Sequence, residues 1–148
     1  MYVDAVDVSP HGRGGAGIMI QKLVSISSEP PVVSLLTQSV FMYRSFVKRL
    51  SRLGYVVFPQ TEDVSGLNRA LGEAEFVRRQ FESAGYTSSD NFRLIHNRNE
   101  EKPGRDLRVL PVHKDSAKQS FFNSLISSEQ ADLGDKLVVV GIKPERLR

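Results

Sequence analysis

Between Ser34 and Leu53 apolar side chains return every three or four residues. Leu36, Val40, Tyr43, Val47 and Leu50 form a line that Leu35, Phe46 and Leu53 widen into a stripe. A stripe of that period predicts an α-helix with one buried face. Ser34 offers an N-cap oxygen, and Gly54 stands where a helix can end in a left-handed conformation. A second helix is expected from Gly66 to Ala84, capped by Ser65 and stopped by Gly85. Leu67, Ala70, Leu71, Ala74, Val77 and Phe81 would be its buried stripe, with Phe76 and the charges Glu73, Glu75, Arg79 and Glu82 away from the centre. Two amphipathic helices joined by a loop predict an antiparallel hairpin.

The flanks read less regularly. Tyr2–Val8 suits a short strand or extended arm, and His11–Gly17, with four glycines in six positions, reads as loop. Ile18–Ser27 is apolar and β-branched enough for another strand, before Pro30 and Pro31 punctuate the chain. Tyr55–Pro59 reads as a β-rich connector and Asp90–Asn99 as a short third helix. Pro103 and Gly104 mark a turn, and Leu107–Val112 is a strand interrupted by Pro111. Ser116–Ser127 is helix-compatible, and Lys136–Ile142 is the best strand candidate. The expected architecture is therefore α+β: a central antiparallel helical hairpin, with a third short helix, flanked by short strands or extended terminal arms. Residues 1–33 would form an N-terminal arm with its glycine-rich loop, 34–99 the helical core, and 100–148 a C-terminal extension. An α/β sandwich built on strands near 2–8, 55–58, 107–112 and 137–142 is the alternative.

At 148 residues the chain suits one domain, and 20 Lys+Arg against 17 Asp+Glu, net +3, mildly favours an acidic partner. With no cysteine, disulfides, thiolate metal sites and cysteine nucleophiles are excluded. No apolar run approaches the roughly 20 residues of a membrane span. Met1–Pro10, with Asp4 and Asp7, is unlike a secretory signal. Arg44, Lys48 and Arg52 follow one another at i, i+4 on a flank of the first stripe, with Arg49 nearby. The last two turns of that helix are thus strongly cationic.

At Val40–Leu50 the first helix resembles the opening helix of the LYR-motif family, small mitochondrial accessory and assembly proteins. Where the family has Leu-Tyr-Arg this chain has Met42, Tyr43 and Arg44. Glu75–Phe81 resembles the family's second signature, a basic helix ending in a buried Phe, and Thr87–Asp90 takes the place of the polar stretch that follows. The likeness spans roughly residues 35–92. It departs at Met42, at Pro59 and Gly66 in the inter-helix loop, and in showing no long third helix. The resemblance implies a non-catalytic accessory subunit or assembly factor of a mitochondrial complex that binds an acyl carrier protein. By the same resemblance the carrier's acyl-phosphopantetheine would lie between the helices, with no cofactor of the chain's own. Tyr43, Arg44 and Phe81 carry over as partner-binding positions. Lys48, Arg49 and Arg52 are added on physical grounds, because their charge would steer an acidic partner.

Two other functions stay open. A ribosome-associated protein would bind rRNA electrostatically through Arg13, the cationic helix flank and the tail residues Lys143, Arg146 and Arg148. A phosphate-handling α/β enzyme would use the backbone amides of Gly12–Gly17. That run fits neither the Walker A spacing nor GxGxxG and lacks a P-loop lysine, so a flexible loop is the favoured reading. His11, His96 and His113 do not have local metal-ligand spacings, and no serine can be tied to a base. No residue is assigned to catalysis or to a metal.

Overall fold

Lys136–Ile142 lies at the middle of the molecule, and every residue of it from Leu137 onward is buried. The computed structural model describes residues 2–3, 15–60, 66–87, 91–98 and 112–147. In chain order its elements are β1 (Tyr2–Val3), α1 (Gly15–Ile26), β2 (Val32–Thr37), α2 (Val40–Arg52), β3 (Val56–Phe58), α3 (Leu67–Arg79), β4 (Tyr86–Thr87), β5 (Arg93–His96), α4 (Ser116–Leu125), α5 (Ser128–Asp132) and β6 (Lys136–Ile142). Short 3₁₀ turns stand at Glu82–Ala84 and Pro144–Arg146.

The sheet runs β1-β2-β6-β5-β4, with β3 also on β6. β2 pairs along the whole of β6, from Val32 opposite Ile142 to Thr37 opposite Leu137. On the other edge of β6, β3 and β5 lie end to end: Phe58 faces Val140 and Arg93 faces Leu137. Between them Phe92 O accepts from Val138 N at 2.6 Å. All three partners are antiparallel to β6, and β1 is parallel to β2. β1, β2, β3 and β5 therefore point the same way; β2 and β5 end beside the start of β6, whereas β3 ends opposite Val140, in the middle of that strand.

The α+β mixture is observed, but the helical hairpin is not. α2 packs against α1, and α3 packs against β6 rather than against α2. The apolar stripes serve a sheet: Phe46 and Leu50 of α2 are buried, and the place a Gly141 side chain would occupy is taken by Leu50. The strands are the core of the fold, not arms around it.

Boundaries move for related reasons. Ser34–Leu36, expected as the first helical turn, belongs to β2, because the β-branched Val32 and Val33 open a segment that pairs with β6 along its whole length. The helix cap is Ser39, whose hydroxyl accepts from Met42 N. Ile18–Ser27, expected as a strand, is most of α1. Ile20 and Val24, one turn apart, are fully buried, and a short apolar run cannot by itself distinguish the two periods. Gly15–Gly17, expected as loop, forms the first turn of α1, where the leading amides lack intrahelical partners in any case. The expected helix over Asp90–Asn99 contains strand β5. α3 stops at Arg79, so Phe81 lies beyond it, half-buried and edge-on to Tyr86 at 6.2 Å. Phe76 is exposed, as its phase predicts. The expected turn at Pro103-Gly104 and all but Val112 of the strand at Leu107–Val112 lie outside the described residues. Among the described residues, no helix is long and apolar enough to cross a membrane.

Candidate functional site

Three features of the described residues bear on function. The first is the amino end of α1. Parallel neighbouring strands need a crossover, and α1 supplies it. Its amino end, at Gly15, follows β1 in the chain, and residues 4–14 between them lie outside the described residues. That helix end lies inside the Gly12–Gly17 run, so Gly15 and Gly17 carry leading, unpaired amides of α1. Such an end attracts anions through free N–H groups and the helix dipole together. Gly12, Arg13 and Gly14 lie outside the described residues.

The second feature is a cleft over the first turns of α2, lined by Tyr43, Arg44, Val47, Gln60, Ala117, Lys118 and Phe121, with a volume of about 230 Å³. Tyr43 is its buried inner wall. The hydroxyl donates to Pro59 O at 2.6 Å, and the ring lies 6.4 Å from Phe121 and 5.8 Å from Phe122. Burial pushes the phenol up to about 12, against a small lowering by Arg44. Tyr43 is thus a structural donor at neutral pH, not a base. Arg44 and Lys118 stand at the rim, half-buried and exposed respectively. Asp115, beside the cleft, accepts from the Lys118 and Ala117 amides as the N-cap of α4, and these bonds hold its carboxyl below the usual range.

The third feature is an ionic cluster. Asp135, fully buried, accepts from His96 N at 2.9 Å and from both Arg98 terminal nitrogens at 2.7 and 3.0 Å, with Arg93 Nε at 3.9 Å. Hydrogen bonding to Asp135 raises the Arg98 guanidinium above its ordinary value. The Gln38 side-chain amide donates to Ala131 O and Asp135 O, tying the end of β2 to the turn before β6. His96 is buried edge-on to Tyr86. These bonds are directed inward, and the cluster joins β5, β2 and β6.

The sequence-derived positions separate on this frame. Tyr43 and Arg44 share the cleft. Lys48 and Arg52 are exposed on the same flank, with no ion pair among the described residues. Arg49 instead faces α1 and reaches Gln21 Oε1 at 3.4 Å. Phe81 belongs to the β4 side of the molecule and does not meet Tyr43. Lys143 is held within the fold: its ammonium bonds Leu53 O at 2.9 Å and Glu29 at 3.1 Å and lies 4.4 Å over the Tyr55 ring. Arg146 is exposed, whereas Arg13 and Arg148 lie outside the described residues. Sequence reasoning passed over Gln60, Lys118 and Phe121, which reach the cleft from elements distant in the chain. It also passed over Arg78, buried in α3 and bonded to Glu75 and to Asn91 O. Among the described residues, no group of three His, Asp or Glu could hold a metal ion.

Comparison of the chain with family models, with curated proteins and with solved structures returns no match.

Proposed function

We propose that this protein binds a phosphate-bearing small molecule at the amino end of α1, inside the Gly12–Gly17 run, whose leading helical amides would donate to the phosphate. One observation carries the reading: β1 and β2 are adjacent and parallel, and the helix that joins them begins inside the glycine run. A glycine-rich turn entering a helix allows close approach of phosphate to the backbone. Arg13, within the run, adds a cation of the right sign. The departure from GxGxxG and from Walker A argues against those particular loops, and the amide chemistry does not depend on either.

Gly15→Asp tests this reading with stability and binding separated. A carboxylate in the first turn suits the helix dipole, so the fold should be unharmed or slightly more stable, while the same charge repels phosphate. Titration calorimetry with pyrophosphate, ADP, ATP and coenzyme A should find at least one saturable ligand whose affinity falls about tenfold or more in the variant. Absence of binding by all four, or binding unchanged by Gly15→Asp, overturns the proposal.

The row of half-buried Arg44 and exposed Lys48 and Arg52 favours a second reading: docking of an acidic protein, which the LYR resemblance would make a mitochondrial acyl carrier protein. Reversing Lys48 and Arg52 to Glu should then slow association, with the effect shrinking as salt rises. Equal co-purification of carrier protein with both forms would refute it.

A further inference from the structure

The cleft between α2 and α4 is built from residues that the phosphate reading does not use. Its walls are apolar: the Tyr43 ring, Val47, Ala117 and Phe121. Its rim is cationic, with Arg44 from one helix and Lys118 from the other, and the Gln60 side chain adds a neutral polar group. None of the lining residues is acidic, and the neighbouring Asp115, an anion that also feels the Lys118 charge, turns its Oδ1 to two backbone amides of α4. The Tyr43 hydroxyl is likewise committed, to Pro59 O, so the aromatic wall presents ring surface rather than a free donor. At about 230 Å³ the space lies below the range of roughly 300–1,000 Å³ typical of drug-sized ligands.

We propose that this cleft binds a small monocarboxylate with an aromatic or branched apolar body, its carboxylate between Arg44 and Lys118 and its body against Tyr43, Val47 and Phe121. A planar guanidinium matches a carboxylate in two parallel hydrogen bonds, and Lys118 adds a point charge from the opposite wall. Inorganic phosphate would satisfy the cations but leave the apolar walls uncovered. A neutral compound would cover the walls and leave the cations without a partner. The class is therefore set by both halves of the site together.

The test uses the full chain and 3-phenylpropionate as the probe, followed by ligand-observed NMR and by amide shifts of Arg44, Val47 and Lys118. Saturable binding is expected, about tenfold tighter than that of 3-phenylpropanamide, which lacks the charge, and of acetate or inorganic phosphate, which lack the body. Arg44→Gln and Lys118→Gln keep the stems that cover the walls. Each should weaken 3-phenylpropionate several-fold, and the double variant about tenfold or more, with far-UV circular dichroism unchanged. Comparable affinity for the amide, for acetate or for phosphate overturns the proposal, as does undiminished binding by the folded double variant or no saturable binding at all. Gly15→Asp should leave this affinity unchanged, so failure here and failure of the phosphate reading are distinguishable.

Discussion

Tyr43→Phe removes one oxygen from the wall of the α2 cleft and should make the protein's stability depend differently on pH. The hydroxyl donates to Pro59 O in a buried setting, so its loss leaves that carbonyl without this donor. At neutral pH the cost should be about 1 kcal/mol, the net worth of one such bond. The phenol is pushed up to about 12 by burial, whereas in the unfolded chain it ionises near its ordinary value of about 10. Below about pH 10 both states are protonated and the bond contributes in full. Above it the unfolded state releases a proton that the folded state retains, so wild-type stability falls as pH rises from about 10 to about 12. At about pH 11 that loss is about 1.4 kcal/mol for this group. The phenylalanine variant escapes it, so the two stabilities should converge and cross near pH 11. Tyr55, also raised to about 12 by burial and then by Glu29 and Glu145, is present in both proteins and cancels in the difference. Urea unfolding of both proteins at several pH values from about 8 to 11 measures that difference directly. A gap that stays constant across the range would refute the buried-phenol argument. A negligible gap at neutral pH would refute the bond to Pro59.

Two further perturbations probe the frame that holds the site. A methyl at Gly141 would lie 2.5 Å from Leu50 Cδ1 and 3.7 Å from Tyr55, so Gly141→Ala should cost about 1–3 kcal/mol. Combined with Leu50→Val it should cost less than the sum of the two single changes by at least about 0.5 kcal/mol in urea unfolding, and strict additivity would count against the contact. Arg98→Ala leaves the fully buried Asp135 carboxylate with much less compensation, while Asp135→Asn releases Arg98, already part-exposed, toward water. The arginine variant should therefore lose more, about 3–5 kcal/mol, and the reverse order of denaturation midpoints would show that the cluster is held together differently.

The parts of this fold legible in the sequence are those whose pattern is local. Val40–Leu50 is helical as its period predicts, with Val40, Tyr43, Phe46 and Leu50 all buried. Lys136–Ile142 is a strand, and Ser116–Leu125 a helix. What the pattern could not carry was the partner. A helical stripe specifies a buried face without specifying whether a helix or a sheet covers it, so the same residues fit a hairpin or a β-sheet flanked by helices. Ile18–Ile26 shows the complementary failure. Its outward positions Ile18, Met19, Leu23 and Ile26 are themselves apolar and exposed, which erases the contrast between faces that would have revealed the helical period. β5 was missed because Arg93–His96 is four residues long and is fixed by pairing with β4 and β6 and by Asp135, contacts far along the chain.

The same distinction governs the candidate site. The glycine run, taken locally, fits no phosphate loop and reads as flexible chain. The structure adds that Gly15 and Gly17 open α1, the helix in the crossover from β1 to its parallel neighbour β2. Tyr43 and Arg44 were visible as an aromatic and a cation at adjacent positions. The surface they complete depends on Gln60 at the exit of β3 and on Lys118 and Phe121 in α4, which no spacing rule connects. Chemistry distributed in this way is a property of the sheet order. With β6 placed between β2 and β3, α2 must cross over it, and the first turns of that helix come to overlook the point where β3 leaves the sheet at Pro59. A basic aromatic helix in a two-helix hairpin would present the same side chains to a partner helix. Set over this sheet, it forms one wall of a cleft that α4 completes.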